Sequence, residues 1–223
     1  MADPTSSTPF DLAETDRLLS TTRAVRKRLD LGRPVEPEVL LDCIRLSQQA
    51  PTGSNNQGWR WMIVTDPGKR AALAELYRAG GAAYLERQRQ TIDAESQIGR
   101  VMDSATWLAQ NIEHVPVHVI PCIKGRLGSD APAMAWAAQM GSIFPAVWSF
   151  QLALRARGLG SVITSFHLAS ERQVAELLDI PDDVMQVALL PVAYTKGTDF
   201  RPAHRPPPER ITHWDSWGNK RQG

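Results

Sequence analysis

Between positions 50 and 65 the chain reads APTGSNNQGWRWMIVT, and Thr52, Gly53, Ser54, Asn55 and Asn56 crowd hydroxyls, amides and backbone N–H groups into one short turn. Such a cluster presents donors and acceptors to the polar edge of a ligand, and Asn55 can act as either. Gln57 follows and is placed to orient the loop. Upstream, the run Thr21-Thr22-Arg23-Ala24-Val25-Arg26-Lys27-Arg28 sets Arg23 and Arg26 three residues apart. On a helical turn that spacing puts two guanidinium groups on one face. Arg suits phosphate because its planar fork stays charged and bonds two oxygens at once. A third group lies near the C-terminus, where Arg205 sits in the Pro-flanked stretch Thr198-Asp199-Phe200-Arg201-Pro202-Ala203-His204-Arg205-Pro206, ahead of His213-Trp214-Asp215. Taken singly, the first two have plainer readings. The loop reads as a tight turn capping itself, and the basic run as a solvated patch or a nucleic-acid contact.

Other chemistries find less support. No G-x-G-x-x-G follows a strand, and there is no G-x-x-x-x-G-K-[ST], G-x-S-x-G or H-E-x-x-H. The Gly158-x-Gly160 pair reads as a helix stop. His114 and His118 have a helical metal-ligand spacing, but Pro116 lies between them in a segment that reads as a strand, which favours a surface or packing role. His167, His204 and His213 complete no metal set. Cys43 and Cys122 form no C-x-x-C, and each sits in an apolar segment, so both read as buried, reduced thiols of a cytoplasmic protein. Trp107, Trp136 and Trp148 are placed to shape a substrate side, although the seven Trp residues as a group read as core.

These residues must be held by a scaffold whose signals alternate irregularly. Helices are predicted over residues 12–22, with Asp11 as cap, and 37–49, with Pro37 in its first turn. Pro51 ends the second helix, because it lacks an N–H and its ring clashes with the preceding turn. A strand is expected over 59–65, a charged and partly exposed helix over 69–90, and another helix over 98–111. Residues 115–123 read as a strand whose prolines suggest an edge or kinked position. Residues 161–166 and 185–194 read as two further strands. Ser170-Glu171-Arg172-Gln173 has the form of a capping box before a short helix over 174–178. The first ten residues are expected to be disordered, residues 11–217 to form one domain, and 218–223 to be flexible.

At 223 residues the chain can bury a core of its own. A net charge of +1 provides no overall field to attract nucleic acid or a membrane surface. The polar, acidic start MADPTSSTPFDLAETD is unlike a signal peptide. Positions 131–154 carry no formal charge, long enough to suggest a membrane span, yet Gln139, Ser142, Ser149 and Gln151 recur there and Pro132 and Pro145 punctuate it. A helix buried within a large core accounts for that pattern better. Helices dominate, and the expected class is α+β, a mixed sheet flanked by helices.

The order of segments, an Arg-x-x-Arg turn, a helix, the A-P-T-G-S-N-N-Q-G-W loop and a late strand ending in a Pro/Arg tail, resembles the FMN-dependent nitroreductase family. The run GSIFPAVWSFQLALRARGLGSVITSFHL is similar to that family's core helix and following strand. The resemblance spans about residues 21–214. It implies a homodimer with FMN at the subunit interface, Arg23 and Arg205 on the phosphate and Arg26 on the ring and ribityl side. Pro51, Thr52, Gly53 and Asn55 match flavin contacts of the loop. Thr164 and Ser165 match positions whose backbone N–H groups face flavin N5 and O4, and Pro145 one that packs on a ring face. Three positions depart from the family pattern: Ala24 where Ser is common, Gly58 where Pro is common, and Ala203 where a Lys often precedes the late Arg, a cation Lys196 is placed to replace. The activity implied is transfer of electrons from NADH or NADPH to nitroaromatic, quinone or related small-molecule acceptors in a ping-pong cycle, with no side-chain nucleophile. Flavin storage, dehalogenation and flavin fragmentation are the alternatives within the family. Neither a nucleic-acid nor a membrane partner is expected.

Overall fold

A computed structural model describes residues 9–220, so most of the segment expected to be disordered, and the last three residues of the tail expected to be flexible, lie outside the described residues. The chain divides into two compact units: Thr22–Asp199, and the N-terminal segment through Thr21 together with the chain from Phe200 onward. In the smaller unit, helix α1 (Leu12–Thr21) starts where the Asp11 carboxylate accepts the Glu14 N–H at 3.1 Å. In the tail the rings of His213 and Trp217 stack, and the Gly218 N–H donates to His213 Nδ1 at 2.7 Å.

The larger unit is built on a five-stranded sheet. Strand β1 (Trp59–Val64) runs antiparallel to β2 (Val117–Lys124), which on its other side pairs antiparallel with β4 (Val184–Gln186) and β5 (Leu190–Tyr194). Strand β3 (Leu159–Gly160) closes the far edge against β5. The paired strands are antiparallel, and the mixed character rests on a parallel bridge between Ala24 and Ser161. Helix α2 (Pro37–Ser47) buries Leu40, Cys43 and Ser47, one face of a 3.6-residue period, against helix α5 (Ala133–Ala156). Helices α3 (Pro67–Thr91) and α4 (Gln97–Asn111) pack on each other, their first turns capped by Asp66 and Ser96. No helix among the described residues is long and apolar enough to cross a membrane.

Several local expectations are corrected. Strand β2 is central and almost wholly buried, although it contains Pro121. The Pro121 carbonyl accepts the Val187 N–H at 3.0 Å, in the gap between β4 and β5 where the neighbouring chain leaves the ladder. The nitrogen of a strand residue faces the same side as its carbonyl, so the missing N–H falls at that interruption, outside the regular pairs of β4 and β5, where the omitted reciprocal bond is least costly. The late strand is split for the same reason: Leu189 turns away from β2 to pair with Thr164. The strand expected at 161–166 is only the short β3, followed by single bridges at Ser161 and Thr164 and by a 3-10 turn at Phe166–Ser170. Helix α6 (Glu171–Leu178) begins without a side-chain cap from Ser170, so the expected capping box is not formed, and at its first position Glu171 accepts from both Nη atoms of Arg126 at 2.7 and 2.8 Å. Burial of α5 runs from Ile143 to Leu154. Its first ten positions contain no buried residue.

Cys43 and Cys122 are both free and buried, and burial pushes the Cys122 thiol up to about 12. His118 is enclosed in β2 with Nε2 2.8 Å from the Ile112 carbonyl, a packing role, whereas His114 lies exposed in a 3-10 turn.

Candidate functional site

The Arg-x-x-Arg segment is extended rather than helical. The Val25 N–H donates to the Ser161 carbonyl at 2.9 Å, and Ala24 forms the parallel bridge. A Cβ at Gly160 would lie 2.7 Å from a Thr195 methyl and 2.9 Å from Val25 Cβ, so only glycine lets the segment lie this close to β3. A turn closes afterwards, with the Leu29 N–H donating to the Arg26 carbonyl at 3.0 Å. The shared helical face expected for the two arginines is therefore absent, and their surroundings differ. Arg23 is exposed, while Arg26 is half-buried. Arg26 Nη1 donates to the Ser104 hydroxyl of α4 at 3.2 Å, and no carboxylate among the described residues forms an ion pair with it. Burial pushes this guanidinium below its ordinary range. A desolvated cation with unused N–H donors is costly unless an electron-rich group meets it.

Close to Arg26 stands Tyr77 of α3, whose phenol is pushed up by burial and lowered in part by the Thr164 hydrogen bond and the Arg26 charge. Its hydroxyl is 2.8 Å from Thr164 Oγ1. The Thr164 backbone is also occupied: its N–H donates to the Leu189 carbonyl at 3.0 Å and its carbonyl accepts the Leu189 N–H at 2.8 Å. The expectation of a Thr164 N–H facing a ligand is thus corrected. Ser165 is exposed, and its N–H and hydroxyl donate to no other described residue.

The polar loop is gathered at a second place. Gly53–Asn55 form a 3-10 turn, and the Gly53 N–H donates to the Ser142 hydroxyl of α5 at 3.1 Å. The Gln57 N–H reaches Thr52 Oγ1 at 3.3 Å and the Gln57 side chain donates to Asn55 Oδ1 at 3.0 Å, so Gln57 does orient the loop. Ser54, Asn55 and Gln57 all have left-handed backbones, with φ of 51°, 52° and 50°. That conformation costs L-residues of this kind roughly 1–2 kcal/mol each, and such strain concentrates at functional sites. A cavity of about 560 Å³ opens between the loop and the exposed half of α5, lined by Thr52, Gly53, Lys124, Gln139 and Ser142 among others. Pro51 is exposed at the start of the loop, and Pro145 is half-buried one turn along α5 from Ser142.

The bonds of the loop run to itself and to α5, and those of Arg26 and Thr164 to α3, α4 and the chain before β5. The expected site residues thus form two groups. Arg205 belongs to the smaller unit, where its Nη1 donates to the His204 carbonyl at 3.0 Å.

The model of the Nitroreductase family matches residues 19–194. The chain belongs to the nitroreductase family. It is 27% identical over 217 residues to an NADH dehydrogenase of Thermus thermophilus, covering 88% of this chain and 97% of that protein. It is 31% identical over 165 residues to protein DrgA of Synechocystis, covering 70% of this chain and 72% of that one. In fold it resembles oxidized iodotyrosine deiodinase bound to FMN and 3-iodo-L-tyrosine, with a TM-score of 0.68, 22% identity, and coverage of 90% of this chain and 98% of the other.

Sequence reasoning missed three residues that hold the candidate groups in place. Ser104 and Ser142 are single hydroxyls on helices, with no local signal. Tyr77 did have one, because Tyr77, Gly81 and Tyr84 recur at the spacing of one helix face.

Proposed function

We propose that the chain is an FMN-dependent oxidoreductase that takes electrons from NADH or NADPH and delivers them to nitroaromatic, quinone or similar electron-poor acceptors in alternating half-reactions. The observation that carries this reading is Arg26, a desolvated guanidinium without a carboxylate, beside Tyr77, whose hydroxyl meets Thr164, the chain neighbour of the exposed Ser165. Such a cation suits the electron-rich N1–O2 side of an isoalloxazine, and the Ser165 N–H suits its N5–O4 side. Arg23 and Arg205 are assigned to the phosphate. When bound, FMN supplies hydride acceptance and release at N5, so the protein's task is to bind, orient and tune.

The functional unit in this reading is a homodimer. Helix α5, uncharged up to Arg155, leaves its N-terminal half largely uncovered, with Met134 80% exposed and, beyond that half, Trp148 42% exposed. A second copy covers that half and brings its loop (Pro51, Thr52, Gly53, Asn55, Gln57) to the arginines of the first. The separation of the site residues into two groups supports this arrangement. Pro145 packs against one ring face and leaves the other open to nicotinamide and acceptor.

The test is the visible spectrum of the purified protein. Flavin bands that bleach anaerobically with NADH or NADPH, and return on adding a quinone or nitroaromatic, are expected. A colourless protein that takes up no FMN on reconstitution overturns the reading. The likeness to a deiodinase motivates a second reading, reductive removal of halide from a halotyrosine, in which two electrons and a proton replace the carbon–halogen bond by carbon–hydrogen. Release of iodide from 3-iodo-L-tyrosine by the reduced protein, without turnover of quinones, would favour it. Bound flavin without steady NAD(P)H consumption on any acceptor would indicate storage.

A further inference from the structure

Helix α3 presents an unusual face to the segment after β3. A Cβ on Gly80 would lie 2.1 Å from the Phe166 carbonyl oxygen, and one on Gly81 2.3 Å from the Phe166 ring. The two glycines therefore form a notch in which Phe166 rests directly on helix backbone. Tyr77 and Tyr84 close the notch at either end, with ring centroids 5.2 and 5.8 Å from that of Phe166. Tyr77 is 1% exposed, and its one polar atom meets the Thr164 hydroxyl at 2.8 Å. Thr164 is held from the other side by its paired backbone bonds to Leu189. Ser165 is thus one exposed residue strung between two immobilised neighbours, and among the described residues the Tyr77 hydroxyl is the side-chain group that fixes the Thr164 side chain.

We propose that Tyr77 is a positioning residue for the flavin: through Thr164 it aims the Ser165 N–H at the ring edge and so sets how much more tightly the reduced cofactor is held than the oxidised one. The inference rests on the FMN reading above. A donor aimed at that edge gains strength as negative charge builds up on the ring, so its alignment affects the reduced form more than the oxidised form. Tyr77 itself touches no reacting atom.

The decisive variant is Tyr77→Phe, which keeps the ring in the Phe166 notch and removes only the hydroxyl. Three quantities are measured in wild type and variant: FMN affinity from quenching of free-flavin fluorescence, the midpoint potential of bound FMN by anaerobic dye equilibration, and the melting temperature without FMN. Oxidised FMN should bind within about twofold of wild type. Reduced FMN should bind about tenfold more weakly, the scale of one hydrogen bond, read as a potential lower by about 30 mV for a two-electron couple. Thr164→Val removes the other hydroxyl of the pair while keeping a β-branched shape, and should give the same shift. The double variant should shift no further than either single one, and Thr164→Val alone decides the matter if Tyr77→Phe does not fold. An unchanged potential overturns the proposal. So does an equal loss of oxidised and reduced binding, which would mean that the hydroxyl pair only shapes the pocket. Wild-type protein that takes up no FMN overturns the flavin reading itself, and this inference with it.

Discussion

Gly53 and Ser142, 89 residues apart in sequence, are joined where the Gly53 N–H donates at 3.1 Å to the Ser142 hydroxyl, which itself donates to the Ala138 carbonyl at 2.7 Å. The Trp59 indole N–H also reaches the Ser142 carbonyl, at 2.7 Å, so both ends of the polar loop are tied to one turn of α5. Because three residues between those ties hold left-handed backbones, the loop depends on them to keep its shape. Ser142→Ala is expected to cost about 1 kcal/mol of stability in urea titration, the worth of an ordinary hydrogen bond. It should also weaken FMN binding several-fold, because the loop is freed to relax.

Arg126 and Glu171 form the best-enclosed ion pair among the described residues, with side chains 25% and 17% exposed. Arg126 also donates to the carbonyls of Asp182 and Val184, and so fastens β4 to the start of α6. Replacing Arg126 with Met leaves a part-buried carboxylate without its charged partner, an expected loss of roughly 1–3 kcal/mol. Arg126→Met with Glu171→Leu should recover a large part of that loss in the same urea titration, because no charge is then stranded.

Acid sensitivity follows from His118 and His167, both with no solvent exposure. Burial pushes each imidazole from 6.5 down to about 4, and His167 has no hydrogen-bond partner at either nitrogen. The groups acting on them are Arg70 and Glu113 at His118, and Glu171 and His118 at His167. The unfolded chain binds protons from about pH 6.5 downward, and the folded chain only near pH 4. Stability is therefore complete above that upper value and declines as pH falls, by about 3 kcal/mol for each histidine across the window. Burial alone would raise the Glu171 carboxyl, but Arg126 and the Gln186 N–H outweigh it and hold it low, so its stabilisation is complete above the ordinary carboxylate range, begins to be lost as pH falls into that range, and is gone only below it. Melting temperatures measured from pH 7 to 4.5 should fall in wild type and fall distinctly less in His167→Leu.

The elements that position the site were legible wherever a local cause decides them. Pro37 starts α2, Asp11 and the run after Pro51 behave as their chemistry suggests, and β1 ends within a residue of the position expected. What was not legible depends on partners distant in sequence. Ile163 and Thr164 are good strand formers, but Thr164 meets only Leu189, and the chain then turns so that Phe166 enters the notch on α3. Arg23 and Arg26 have helical spacing, yet Ser161 claims the Val25 N–H and holds the segment extended. In the loop, the left-handed positions fall on Ser54, Asn55 and Gln57 rather than on Gly53 or Gly58, which a turn rule based on glycine would not find.

If Arg205 pairs with the FMN phosphate, Arg205→Ala removes a charge-assisted contact whose loss costs roughly 1.5–3 kcal/mol, about a 10- to 150-fold weakening of FMN. Riboflavin, which lacks the phosphate, should bind wild type and variant about equally. An equal loss for riboflavin would assign Arg205 to the fold of the tail.

The two groups of site residues yield the sharpest test of architecture. In the proposed dimer, Arg23 and Arg205 act from one subunit while Thr52 and Asn55 act from the other. An Arg23→Ala/Arg205→Ala chain and an Asn55→Ala chain should each be nearly inactive alone. Paired in one dimer, they produce one site carrying all three substitutions and one site carrying none. Co-expressed with two different tags and purified through both, the mixed dimer should regain about half of the wild-type activity, counting independent sites. Its bound FMN should likewise approach one per dimer, a readout independent of turnover. A mixed dimer as inactive and as flavin-poor as its parents would place the loop and the arginines in the same subunit's site. The exposed half of α5 would then need another explanation.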